Sequence, residues 1–170
     1  MTGGSDPRTE RLRDPRGIHS EAWKRTLAEM ETIATERRAD GWETLTVMAA
    51  HTDTVSRDMN DHDEFGLFHI VPDEQGAAFA ETFDEEAFTE YLVYGTEIEA
   101  YMYAVTEFLD PGGERSILLA SRYDMGRAAG MVASAEEAGV LYSHVRTVDG
   151  TTLGTFAHEE YEPLITKPSA

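Results

Sequence analysis

Glu97-Ile-Glu-Ala-Tyr-Met-Tyr-Ala-Val-Thr-Glu-Phe108, then Leu-Asp-Pro-Gly-Gly-Glu, then Arg115-Ser-Ile-Leu-Leu-Ala-Ser-Arg-Tyr123 is the stretch that decides the fold. Ile98, Ala100, Met102 and Ala104 alternate with Glu99, Tyr101, Tyr103 and Val105, which is the period of a strand. Pro111-Gly112-Gly113 makes a tight link, and Arg115 to Tyr123 runs back. A link this short requires antiparallel pairing.

The same pattern extends outward. Phe88 to Tyr94 reads as a further strand. Asp124 to Ala138 reads as a helix, capped by Asp124 and stopped by Gly139. Val140 to Val148 and Thr151 to His158 form a hairpin about Asp149-Gly150. Toward the N-terminus, a long helix opens at Ser20 and ends before Gly41. Trp23, Leu27, Met30 and Ala34 form its apolar stripe. Trp42 to Ala50 and Phe65 to Val71 read as strands. Residues 51–64 read as a polar loop, and 76–87 as a short helix with Phe79 and Phe83 one turn apart. Residues 1–17 read as a disordered N-terminal arm, 18–166 as a single α+β domain and 167–170 as a frayed end. The predicted architecture is α+β: a single antiparallel sheet of about six to seven strands with two main helices packed on it.

Composition bounds the function. The chain of 170 residues carries 33 Asp and Glu against 14 Lys and Arg, a formal charge of -19. The acids are spread along the chain, and 41% of residues are hydrophobic, which argues for a folded domain and not an acidic tail. Such a charge destabilises a compact state in dilute buffer. At about 1 M salt the Debye length is about 3 Å and the repulsion is screened. The reading is a protein of a high-salt cytoplasm that needs K+ or other solvent salt for stability. No Lys/Arg cluster exists to bind nucleic acid. No run of about 20 apolar residues exists to cross a membrane. There are no cysteines, which excludes disulfides and thiol chemistry.

Three groups of residues could carry chemistry. His51, Asp53, His62 and His69 are of the types that ligate zinc or manganese, but their spacing matches no metal motif. A metal is not expected, and no cofactor is implied. Arg122 and Arg127 flank a strand-to-helix junction where an anion could bind. His144 with Arg146 is expected to face His158 across the last hairpin, with Tyr142 on the same side. An interface is suggested by Trp23, Tyr101 and Tyr103, since tyrosine favours interfaces. No nucleophile or phosphate-binding motif is present.

Three stretches, Ile117-Leu-Leu-Ala-Ser-Arg-Tyr123, Ala128-Ala-Gly-Met-Val132 and Tyr142-Ser-His-Val-Arg-Thr-Val-Asp-Gly-Thr-Thr-Leu-Gly-Thr-Phe156, carry a resemblance. With its acidic composition, the run from Trp42 through Tyr161 resembles small acidic proteins of haloarchaea that form a domain family of unknown function. The resemblance implies no activity. The element order is also similar to type III secretion chaperone-like folds, which implies an acidic dimeric chaperone. The expectation is therefore a non-enzymatic binding or assembly protein that pairs with itself as a homodimer or with a protein partner. The alternative is an enzyme using the 51–69 loop or an Arg122/Arg127/His144 pocket.

Overall fold

A computed structural model describes residues 14–59 and 62–165. The order is α1 (Ile18–Ala39), β1 (Glu43–Met48), β2 (His51–Val55), β3 (Gly66–Ile70), α2 (Asp73–Thr82), β4 (Glu90–Ile98), β5 (Tyr101–Asp110), β6 (Arg115–Asp124), α3 (Ala129–Ala138), β7 (Leu141–Arg146), β8 (Thr152–His158) and α4 (Glu162–Ile165). Helix α1 begins before the expected Ser20 cap. The Asp14 carboxylate reaches forward and accepts from the backbone N–H of His19 at 2.9 Å and of Ser20 at 2.7 Å. Residues 14–17 thus belong to the helix start. The rest of the expected arm, 1–13, and the expected frayed end lie outside the described residues.

The single antiparallel sheet is overturned. The strands form two four-stranded sheets, ordered β1-β6-β5-β4 and β2-β3-β7-β8. Both are mixed: β1 runs parallel to β6 and β3 parallel to β7, and the other neighbours are antiparallel. The cause is a switch at Ala49 and Ala50. The Ala49 N–H bonds to the Ala120 carbonyl in the first sheet, and the Ala50 N–H to the Ile70 carbonyl in the second. One continuous stretch therefore serves both sheets, and the first five residues of the expected polar loop, His51–Val55, are strand β2. The single sheet that supports the likeness to secretion chaperones is replaced by these two.

The expected hairpins form. Phe108 lies opposite Ile117, and His144 opposite Thr155. The strand expected over Glu97 to Phe108 breaks at Glu99 and Ala100, with φ +50° and +73°, the tight turn between β4 and β5. At Gly66, φ is +127°, and a Cβ there would overlap the Tyr142 carbonyl of β7.

The layers follow from strand alternation. Val105, Leu118 and Ala120 of the first sheet bury Met30, Ile33 and Ala34 of α1. The opposite faces of β5 and β6 turn inward against the second sheet. Two apolar clusters fill that space. One joins Phe108, Ile117 and Leu119 to Val71, Val145, Phe156 and Phe79 of α2. The other joins Met102, Ala104 and Tyr123 to Leu67, Leu141 and Met131 of α3.

Candidate functional site

A buried polar seam separates the two inner clusters. On β5, Thr106 lies between Ala104 and Phe108; on β6, Ser121 lies between Leu119 and Tyr123. On the second sheet, His69 lies between Leu67 and Val71, and Ser143 between Leu141 and Val145. His158 follows Phe156 on the same face of β8. Thr52 bonds His69 Nδ1 at 3.0 Å, and Ser143 bonds His158 Nε2 at 2.7 Å. His69 Nε2, His158 Nδ1 and Ser121 Oγ have no hydrogen-bond partner among the described residues. Burial pushes both imidazoles down to about 3 from 6.5, so both are neutral. The seam is closed to solvent and serves the interior.

The outer face of the first sheet lies under α1, and its polar groups are matched. Arg37 grips the buried Glu107 carboxylate through two bonds of 2.7 and 2.8 Å, and Ser116 adds a third at 2.7 Å. Burial pushes the Glu107 carboxyl up, but the bonds from Arg37 and Ser116 outweigh it and hold it below the usual range. At the start of α1, His19 bonds Tyr103 at 2.5 Å and Glu99 at 2.9 Å. Arg122 stacks over Trp23 at 5.2 Å.

Among the described residues, no helix is laid over the outer face of the second sheet. Strand register aligns Asp53, Phe68, His144 and Thr155 in one row across β2, β3, β7 and β8. His51, Ile70 and Arg146 form the next row. Arg146 stacks over Phe68 at 4.2 Å and donates to Glu64 at 2.8 Å. The bond from Arg146 holds the Glu64 carboxyl below its usual range. A pocket of about 220 Å³ opens on this face, lined by Asp63, Glu64, Phe65, Tyr142, His144 and Thr155.

A family model, described as Family of unknown function (DUF7529), matches residues 9–166. The chain belongs to this family. No curated protein and no solved structure matches it.

The DUF7529 fold redistributes the residues singled out in the sequence. Tyr142, His144 and Arg146 share one face of β7, as expected. His158 does not join them: it pairs with Leu141 and points inward, because three residues of offset along β7 reverse the face. Of the four metal candidates, His51 and Asp53 pair at 2.6 Å on the outer face of β2, His69 is buried in the seam, and His62 lies on the exposed loop before β3. Among the described residues no three His, Asp or Glu side chains gather as metal ligands do. Arg127 is exposed on the turn before α3, where its backbone carbonyl accepts from Thr54. Arg122 lies under α1, so both sheets stand between it and His144. Tyr103 is 1% exposed and is spent on packing within the chain, while Tyr101 packs edge-on to His19.

Sequence reasoning missed Thr155 and Phe65 as pocket residues. The signal for Thr155 was present: counting back from the Asp149-Gly150 turn sets it opposite His144.

Proposed function

We propose that this protein is a non-enzymatic binding or assembly protein of a high-salt cytoplasm, and that it recognises a protein partner, or a second copy of itself, through the outer face of its second sheet. The observation that supports this reading is the asymmetry of the sandwich. The first sheet spends its outer face on α1, and the two inner faces spend themselves on each other. The remaining broad face carries a pocket lined in part by Tyr142 and His144, with Phe68 and Arg146 stacked beside it. Aromatic and arginine side chains are those that dominate the centres of protein interfaces. The apolar stripe of the long helix, which carries the interface candidate Trp23, is already packed on the first sheet. An enzyme built on Arg122, Arg127 and His144 has less support, since these three lie in different layers.

Size exclusion with light scattering in about 2 M KCl, where surface repulsion is screened, tests self-association. Affinity capture under the same salt tests for a partner. Retention of a complex that Tyr142→Ala abolishes is the expected result. A strict monomer that retains nothing would count against the reading.

A further inference from the structure

Strands β1, β4, β2 and β8 form the edges of the two sheets, and they are not finished alike. Strand β1 is closed by side chains. Met48 donates its N–H to Gln75 of α2 at 2.6 Å, and the Thr44 carbonyl accepts from Arg38 of α1 at 3.0 Å. Strand β2 has only five residues, and the β7–β8 ladder shifts register between Val145 and Arg146. Short edges and bulges keep a strand from pairing further. Strand β4 has neither. Its nine residues pair with β5 without a break, and it holds no proline or lysine.

The ladder shows which groups of β4 face outward. The Met125 N–H bonds the Ala100 carbonyl, and the Ala49 N–H bonds the Ala120 carbonyl. Even-numbered residues of β5 therefore turn their backbone groups to β6, and odd-numbered ones to β4. On β4 the even-numbered residues receive them. The N–H and C=O groups of Tyr91, Val93, Gly95 and Glu97 thus point away from the sheet, and among the described residues nothing bonds to them. The Tyr91 hydroxyl donates to the Glu160 carbonyl, and Leu164 packs with Met102 and Tyr123, so α4 and the turn before it lie under the inner face and not along this edge. Leu92, on the outer face of β4, is 44% exposed.

This set of outward groups matches itself. Two copies of β4, antiparallel about a two-fold axis at Tyr94, set Tyr91 opposite Glu97 and Val93 opposite Gly95. All four outward residues then occupy hydrogen-bonded positions. On the outer face Tyr94 meets Tyr94, Leu92 meets Thr96, and Glu90 meets Ile98 of the second copy. Aromatic cross-strand pairs stabilise a sheet. Strand β4 carries two glutamates, and in this register neither stands opposite an acid. A slip of two residues sets Glu97 against Thr89, or Tyr91 against Glu99, and both Thr89 and Glu99 lie outside the strand. Glu160 and Glu162 act on Tyr91, where Glu97 of the second copy arrives, so salt that screens them favours the pairing.

We infer that the protein forms a two-fold dimer in which β4 of one copy pairs antiparallel with β4 of the other, centred on Tyr94. The two first sheets join into one. This surface is separate from the outer face of the second sheet, which each copy keeps for a partner.

The chain has no cysteine, so introduced thiols report the register. On the axis, a non-hydrogen-bonded position, the Cα atoms lie about 4.5 Å apart, within disulfide reach. In about 2 M KCl under mild oxidation, Tyr94→Cys should give a covalent dimer. Leu92→Cys alone should not, because the two thiols lie four residues apart along the paired strands. Leu92→Cys combined with Thr96→Cys should, and this pair changes two exposed positions and keeps the Tyr94 bond to Glu107. Light scattering in the same salt should show a dimer for the unaltered chain. Glu97→Pro removes an outward N–H and should raise the dimer dissociation constant at least about tenfold. Tyr142→Ala should leave it unchanged. A strict monomer, or equal crosslinking from Tyr94→Cys and Leu92→Cys, would overturn the inference. A dimer that Tyr142→Ala dissolves and Glu97→Pro does not would also overturn it, while supporting recognition through the second sheet.

Discussion

The two outer faces of the sandwich are built from the same kinds of residue and put them to different ends. Under α1, Glu107, Arg37, Ser116, His19 and Tyr103 are tied to one another. On the second sheet, His144, Tyr142 and Glu64 line an open pocket, and Arg146 bonds Glu64 beside it. A histidine, a tyrosine, an arginine and a glutamate occur on both faces. The difference is the layer above: a helix in one case and, among the described residues, none in the other. Residue type alone therefore says little about function here, and what covers the residue says more.

That contrast should show first in stability. Arg37→Ala strands a buried carboxylate beneath the helix, and removing one partner of such a pair typically costs roughly 3–5 kcal/mol. Urea unfolding in high salt should show this loss. A change below about 1 kcal/mol would mean that Glu107 is not held as described.

The interior shared by the two faces should respond to acid. His69 and His158 are held at about 3 in the folded chain and titrate near 6.5 when unfolded. The unfolded chain therefore binds more protons between these values. Stability is complete above about 6.5 and falls as pH drops toward about 3, by on the order of 2 kcal/mol per pH unit for two such groups. His158→Gln should flatten the dependence between about pH 6.5 and 5, above the range where carboxylates titrate. An unchanged slope would contradict the burial of that imidazole.

On the bare face the same kinds of change should hardly touch stability. Thr155→Val removes the hydroxyl that His144 accepts from, a loss of about 1 kcal/mol. Asp63→Asn, at an exposed position, should change stability by less than about 0.5 kcal/mol. Both should reduce binding at the pocket. Thermal unfolding and the affinity capture in high salt check the pair, and a large stability loss without a binding loss would make this face structural.

The parts of this fold that were legible in the sequence are local. Short links and alternating residues revealed the β5–β6 and β7–β8 hairpins, the α1 stripe, and Gly139, which closes α3 with φ +75°. The sheet count was not legible, because the parallel pairs join Glu43 to Arg115 and Leu67 to Ser143, and no local pattern reports such contacts. Strand β2 was hidden by its polarity. Thr52 is its inward residue, and His51 and Asp53 face out, so the segment resembles a loop. The site was legible in part. Tyr142, His144 and Arg146 follow from alternation on one strand, whereas Asp63, Glu64 and Phe65 reach the pocket through tertiary packing. The excess of acid mattered less than the few arginines: Arg37, Arg57, Arg115 and Arg146 each pair with a carboxylate.

The most direct measurement places a photo-crosslinker at Ala157 on the outer face of the second sheet and, in a second variant, at Arg25 on the exposed side of α1, in cells of the source organism. A discrete crosslinked protein, or a crosslinked dimer of this chain, is expected from Ala157 and not from Arg25. Crosslinking from Arg25 alone, or from neither position, would contradict the assignment of recognition to the uncovered face.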